Sequence, residues 1–414
     1  MPHKYDKIKD FKLDKPKSDE WIKYRYEKWV KELKSDEYRL INEYVDEFDK
    51  FNEILKEYSG SIDKIDSNKY PGIKEKFEKL DKLIKADINK LQSPKDIYLS
   101  YSLKNLGLPN DLVIVDDKIQ TTLDKNSLRN ILNFEFGNLL GFELGSMIKN
   151  IEGDQKLMIR LTIPEGYYLG CINDDKVIIP SNYDMQINKS KITTFKGSEI
   201  ILLKATLKDK GFINKKIDDI QLKLVSKFQG LNKAKDFIKF DINKGFESYT
   251  LNFAKLSVDS LINNFPRKLF RDCIGNNLNQ IIFTDKDIQG DSSIRGKYDH
   301  ITKILYLKPN SNSFLLDKDK STDEKTAILH EAAHIADFYI LGLSRDPIFA
   351  QHFNKEKNNL TDIITYKGYA KSDIKEYFAE IFKAMFSPYS SQRKEVERQA
   401  PTSVEYIRNE ISQL

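Results

Sequence analysis

Residues 325–339 read KTAILHEAAHIADFY, in which His330, Glu331 and His334 are spaced for one helix to present all three. At i, i+4 the two histidines share a helix face, close enough to bind one tetrahedral zinc ion at ~2.0–2.1 Å from each nitrogen. Glu331 looks along the adjoining face, towards a water in the position that the protein ligands of a catalytic zinc leave open. Ser321-Thr322-Asp323-Glu324 reads as a capping-box start, and Ala327, Ile328, Ala332, Ile335 and Phe338 as the buried side. The plainer alternative is a helix with two ordinary surface histidines. The chain has only 5 histidines, and two of them fall in this one window, which weighs against that alternative.

A catalytic zinc needs a third protein ligand. Downstream, a helix expected over Ser372–Phe386 carries Glu376 and Glu380 on one face, while Phe378, Ile381, Phe382 and Met385 pack elsewhere. The residues alone leave open which glutamate binds the metal. The other would hold a ligand histidine from behind. Two solvated glutamates on a charged helix are the bland alternative. His3, His300 and His352 look unconnected to the metal, with His300 the one nearest the active helix in sequence.

Further outward, 414 residues exceed one ordinary compact domain and suggest two or three. A hydrophobic share of 40% allows each a core, and 32% charged residues give a solvated surface. The net charge of +5 is small beside 68 basic and 63 acidic residues. The basic residues are mostly lysine, with no arginine-rich or aromatic-interleaved stretch, so nucleic acid is not the expected partner. Cys171 and Cys273 are the only cysteines and read as small buried hydrophobes rather than a disulfide framework. No stretch approaches the ~18 apolar residues that span a bilayer, and Met1–Asp10 lacks an apolar signal core. The expectation is a soluble chain, either cytosolic or beginning after a removed leader.

Between about Lys17 and Gln92, Trp21, Tyr24, Tyr26 and Trp29, then Leu40, Ile41, Tyr44, Val45 and Phe48, recur at helical spacing as core. After Pro94 the texture turns to strands: Leu112–Val115, Leu157–Ile163, Val177–Ile179 and Ile200–Leu207. One helix-like segment, Asn126–Leu140, interrupts them. The polar stretch Lys208–Lys216 is the expected boundary. Beyond it helical patterns reach Phe265, followed by strands at Gln280–Phe283 and Thr302–Lys308 and four helices to the end. The expected class is α+β in two domains. Residues 1–212 form a helical lead-in plus an antiparallel β unit, and residues 213–414 form a mainly helical domain with a small sheet.

The motifs HEAAHIADFY (330–339), YKGYAKSDIKEYFAEIFKAM (366–385) and RQAPTSVEYIRNEI (398–411) resemble the catalytic domain of the lethal factor family and its relatives, the secreted Pro-Pro endopeptidases. The resemblance covers roughly residues 250–414. It implies a zincin fold and one zinc held by His330, His334 and Glu376, with Glu380 behind a ligand. It also implies that Glu331 takes a proton from the attacking water and returns it to the leaving amine. Tyr369 would brace the tetrahedral oxyanion, with Tyr366 as the fallback. Ala400-Pro401-Thr402-Ser403 matches the family's C-terminal signature. Upstream, Ile301–Leu307 is either the edge strand along which an extended peptide substrate docks or an ordinary interior strand.

The first half more faintly resembles the binary-toxin ADP-ribosyltransferase fold, through EWIKYRYEKWVKEL (20–33), QKLMIRLTIPEG (155–166) and IILLKATL (200–207). Such enzymes need an arginine, an S-T-S turn and an E-x-E pair. Here those positions hold Tyr101, Leu144-Gly145-Ser146 and Asn182-Tyr183-Asp184. The likeness therefore implies a non-catalytic copy that docks the enzyme onto a separately secreted pore-forming component. A lysine-rich chain without a disulfide framework is compatible with threading through a pore. Together the resemblances imply a secreted toxin-type metalloendopeptidase acting in a host cytosol. The competing readings are a binding protein with a vestigial zinc site, an active ADP-ribosyltransferase and a cytosolic housekeeping peptidase.

Overall fold

The computed structural model describes residues 3–58, 60–101, 114–115, 118–119, 136–139, 141–149, 157–172, 176–243, 247–309, 322–371 and 373–414. They fall into two compact units, one up to Asn214 and one from Lys215 to Leu414. Among the described residues, no helix is long and apolar enough to cross a membrane.

The first unit opens with four helices: α1 (Lys15–Glu32), α2 (Ser35–Asp46), α3 (Phe48–Glu57) and α4 (Ile73–Ile84). Trp29, Leu40, Ile41 and Tyr44 join Phe51, Leu55 and Phe77 in one core, as the helical spacing predicts. Tyr24 and Tyr26 sit only half-buried on the outer side of α1, and Tyr24 stacks on His3.

Among the described residues ten strands follow: β1 (Lys95–Tyr101), β2 (Ile114–Val115), β3 (Lys118–Ile119), β4 (Phe136–Leu139), β5 (Glu143–Ser146), β6 (Leu157–Ile163), β7 (Gly170–Cys171), β8 (Lys176–Ile179), β9 (Tyr183–Phe195) and β10 (Ser198–Lys208). β2 and β3 pair with each other. The rest form one sheet in the order β4-β9-β10-β6-β1-β5-β8-β7. Its pairings are antiparallel except β6 with β10. The helix expected over Asn126–Leu140 is corrected at its end. Phe136–Leu139 is a strand because its backbone pairs with β9, and sheet pairing overrides local propensity. The remainder of that segment lies outside the described residues, as do Leu112 and Val113. Buried Asp96 is met by Arg160 at 2.6 and 2.8 Å and by the Thr162 hydroxyl at 2.6 Å, and its N–H donates to Lys9 O.

The division between the units falls in the first turn of α5 (Phe212–Ser226). In the second unit, β11 (Ile238–Asp241), β12 (Gln280–Thr284), β13 (Gly296–Asp299) and β14 (Ile304–Leu307) form a sheet ordered β11-β12-β14-β13. β14 pairs with β12 on one side and β13 on the other, so within Ile301–Leu307 the strand Ile304–Leu307 is interior, and the edge strands are β11 and β13. α6 (Glu247–Asn264) packs beside α8 (Thr322–Ala336), with the short α7 (Arg267–Phe270) between them in sequence. Five α-helices, not four, run from Thr322 to the end: α8, α9 (Pro347–Glu356), α10 (Ile374–Met385), α11 (Ser390–Gln399) and α12 (Pro401–Gln413). Cys171 and Cys273 are free and buried.

Candidate metal centre

Helix α8 is embedded in the second unit because Ile328, Leu329, Ala332, Ala333, Ile335 and Ala336 are all fully buried. That fixes the rotation of the helix, and its remaining face presents His330 and His334. Phe338, expected on the buried side, is instead 51% exposed, because the α-helix ends at Ala336 and a wider turn over Asp337–Leu341 swings it out against His300. Ser321 lies outside the described residues. α10 packs against α8, and its Phe378, Ile381 and Phe382 are fully buried, Phe378 against Phe349 and Phe382 against Phe265. Its N-cap is Asp373, whose carboxylate accepts from Lys375 N at 2.6 Å and Glu376 N at 3.4 Å. Ser372, the expected start, lies outside the described residues.

Three side chains converge. His330 Nε2 lies 3.2 Å from His334 Nε2 and 3.2 Å from Glu376 Oε2, and His334 Nε2 lies 3.5 Å from the same oxygen. Among the described residues this is the group that could hold a metal ion. The triangle tests the fit. Zinc bonds of ~2.0–2.1 Å in a tetrahedron imply ligand–ligand edges of about 3.3–3.4 Å. Two imidazoles and a carboxylate are also a donor set that zinc accepts. Behind them, His330 Nδ1 lies 2.8 Å from Glu380 Oε1, so Glu380 stands where it can fix the ring and leave Nε2 facing the centre.

The electrostatics favour positive charge at that point. Burial alone would lower His330, but Glu376 and Glu380 overcome it and raise the imidazole to about 10. Burial would raise Glu376, yet His330 and His334 hold it well below the usual carboxylate range. Glu331 is pushed up by burial, against the opposing pull of the two histidines.

Glu331 is held from the edge strand: Tyr298 N–H donates to its Oε2 at 3.1 Å. A Cβ at Gly296 would stand 2.4 Å from Glu331 Oε1 and 2.8 Å from Cδ, so a glycine is what lets β13 approach the carboxylate this closely. Tyr369 belongs to a short 3₁₀ segment, Tyr366–Lys371, that turns at Gly368 (φ +74°) and is tied by Ala370 N–H to the buried Thr365 hydroxyl. Its ring lies 6.5 Å from that of His330 and is exposed on its outer side. Burial of its inner side and the Glu376 carboxylate raise the phenol above its ordinary range, so it remains a neutral donor at physiological pH. The Tyr366 side chain lies outside the described residues. His300 packs on Phe338, and His3 and His352 pack on Tyr24 and Tyr406.

Sequence reasoning missed Gly296, Tyr298 and Lys383. A glycine inside a short strand was the available signal for the first. Nothing marked the other two.

The C-terminal signature has a structural basis. The carboxylate of Glu356, buried at the end of α9, accepts from Thr402 N at 2.9 Å, Ser403 N at 3.0 Å and the Ser403 hydroxyl at 2.7 Å. It thereby caps the first turn of α12, where Pro401 has no N–H to satisfy.

In the first unit, the positions matching the transferase signature are spent on the fold. Asp184 is buried and its Oδ2 accepts Ile213 N–H at 3.0 Å at the start of α5. Ser146 Oγ accepts Ile148 N–H at 3.1 Å. A side chain at Gly145 would meet Leu99 at 2.9 Å. The Tyr101 side chain lies outside the described residues.

Residues 260–410 match the family model described as anthrax toxin lethal factor, N- and C-terminal domain. The chain is 23% identical over 393 residues to lethal factor of Bacillus anthracis, an alignment covering 87% of this chain. It covers 47% of that relative, so the chain spans about half its length. Similar solved structures include Plx2a, an ADP-ribosyltransferase toxin from Paenibacillus larvae, at 22% identity and TM-score 0.41, covering 48% of this chain and 99% of that one. Another is BECa, an ADP-ribosylating toxin of a binary enterotoxin of C. perfringens, at 15% identity and TM-score 0.41, covering 78% of this chain and 66% of that one.

Proposed function

We propose that the second unit is a toxin-type zinc metalloendopeptidase. The observation that carries this reading is the triangle of His330, His334 and Glu376 with Glu331 beside it on the same helix. A zinc ion held by those three residues would supply Lewis acidity to the scissile carbonyl and the attacking water. Glu331, with its basicity raised by burial, accepts a proton from that water as its oxygen bonds to the carbonyl carbon. Tyr369 donates its phenolic hydrogen to the carbonyl oxygen as negative charge grows there. Glu331 then passes its proton to the amide nitrogen, the C–N bond breaks, and a carboxylic acid and an amine leave, the acid's proton passing to the amine to give a carboxylate and an ammonium. The N–H of Tyr298 keeps the Glu331 carboxylate turned towards this work.

For the first unit we propose a docking role without ADP-ribosyl transfer, because Asp184 and Ser146 are already engaged in the fold. Secretion, and delivery through a pore-forming partner, extend this reading from the resemblance. Co-sedimentation with a cognate pore oligomer tests it, and absence of a complex rejects it.

The peptidase reading is tested by incubating the zinc-loaded protein with a diverse peptide library and reading cuts by mass spectrometry, beside Glu331→Gln. Cuts that vanish in the variant are expected. Silence in both samples with zinc bound would favour a vestigial site in a binding protein.

A further inference from the structure

α10 buries a charge that the chemistry above does not use. Lys383 stands one turn after Glu380, and the two side chains are only 9% and 7% exposed. The ammonium reaches both carboxylate oxygens, 2.8 Å from Oε1 and 2.7 Å from Oε2. Oε1 is also the atom 2.8 Å from His330 Nδ1. A lysine on a helix surface normally runs its stem outward and keeps its ammonium in water. Burying an ammonium costs several kcal/mol unless a partner compensates it, so this one is fixed by the carboxylate it holds.

The local charge balance points the same way. Glu331, Glu376 and Glu380 are three buried or half-buried carboxylates, and Lys383 is the ammonium that answers them from α10. Removing Lys383 would leave those three carboxylates without that ammonium and take from Glu380 Oε2 the group that holds it.

We infer that Lys383 is a positioning residue for the metal centre. By gripping both oxygens of Glu380 it sets the carboxylate facing His330 Nδ1, which leaves the Nε2 lone pair for the cation. The same grip keeps Glu380 from turning onto the cation as a fourth protein ligand and closing the position that catalysis needs open. This rests on the zinc reading proposed above.

The test is zinc affinity of the full chain, measured by competition with a chromophoric chelator, with circular dichroism reporting the fold. Lys383→Met should weaken zinc binding by about 10- to 100-fold. Lys383→Arg, which still grips both oxygens, should restore most of it. On a Glu380→Gln background Lys383→Met should change nothing, because the lysine acts through that carboxylate. Affinity within twofold of wild type in folded Lys383→Met overturns the inference, and so does a further loss in the double variant. If Lys383→Met does not fold, Glu380→Gln against the double variant, in which both charges are gone, decides by the same rule. A wild-type chain that takes up no zinc would bring down the zinc reading and this inference with it.

Discussion

The two units bury polar groups in different ways. In the first, the carboxylate of Asp96 is closed off by Arg160 and Thr162, and Asp184 is consumed in capping α5. Both carboxylates meet donors supplied by the fold. In the second, two imidazole nitrogens and a carboxylate oxygen converge on one point, 3.2–3.5 Å from one another. Three side chains that can each ligate a metal, brought to one point with their titration displaced in opposite directions, mark a candidate site rather than packing. The lesson is that acidic residues in a core do not by themselves indicate chemistry. What matters is whether their partners come from the chain.

That contrast can be broken or sharpened at four places. Tyr369→Phe removes a donor to the developing oxyanion and should lower kcat by ~10²–10³-fold, with zinc content by atomic emission unchanged. Unaltered turnover would remove Tyr369 from the centre. Gly296→Ala should spare the fold, because the new methyl group meets the end of a movable side chain, but it must displace Glu331. A shift of about an ångström predicts a fall in kcat approaching ~10²-fold with zinc retained. Wild-type rates in this variant would show that the carboxylate's placement is not critical.

Glu356→Gln probes a closed network within the second unit. Losing a charged acceptor for four donors, the Tyr377 hydroxyl at 3.5 Å included, should destabilise the unit by about 1.5–3 kcal/mol in urea titrations at neutral pH. Burial would raise Glu356, but the Thr402 and Ser403 donors hold it below the usual carboxylate range. Its contribution is therefore complete above the unfolded value of about 4.3 and is lost as the pH falls through the folded one. The difference between wild type and variant should shrink in acid, and a constant difference would contradict this. The smallest effect is expected in the first unit: titration with NAD should give no binding heat and no turnover. A clean isotherm would mean that Asp184 and its neighbours retain a nucleotide site.

How far the sequence could be read follows the same physics. The HExxH helix, the Glu376/Glu380 face and the strand at Leu157–Ile163 were legible because apolar period and chemistry coincide in them. β9 was not, since its outer half, Asn188–Phe195, is rich in lysine and threonine and stays largely exposed. β13 was hidden by its four residues and its glycine. Lys383 was hidden because a charged residue on a helix reads as solvent-facing until the partner that buries it is known. Phe338 failed in the opposite sense. Its spacing assigned it to the core, but the α-helix had already ended.

The position of β10 has a kinetic consequence. This eleven-residue strand is the last of its sheet in sequence, yet it lies between β9 and β6, with its parallel ladder to β6 near the centre. During synthesis β1 and β6 can pair early, but the sheet cannot join its two flanks until Lys208 is available, which makes its closure a late, non-local event. Resistance to force should be directional for the same reason. Traction from the C-terminal side of the unit must shear β10 out of two ladders together, whereas traction from the N-terminal side first peels away helices.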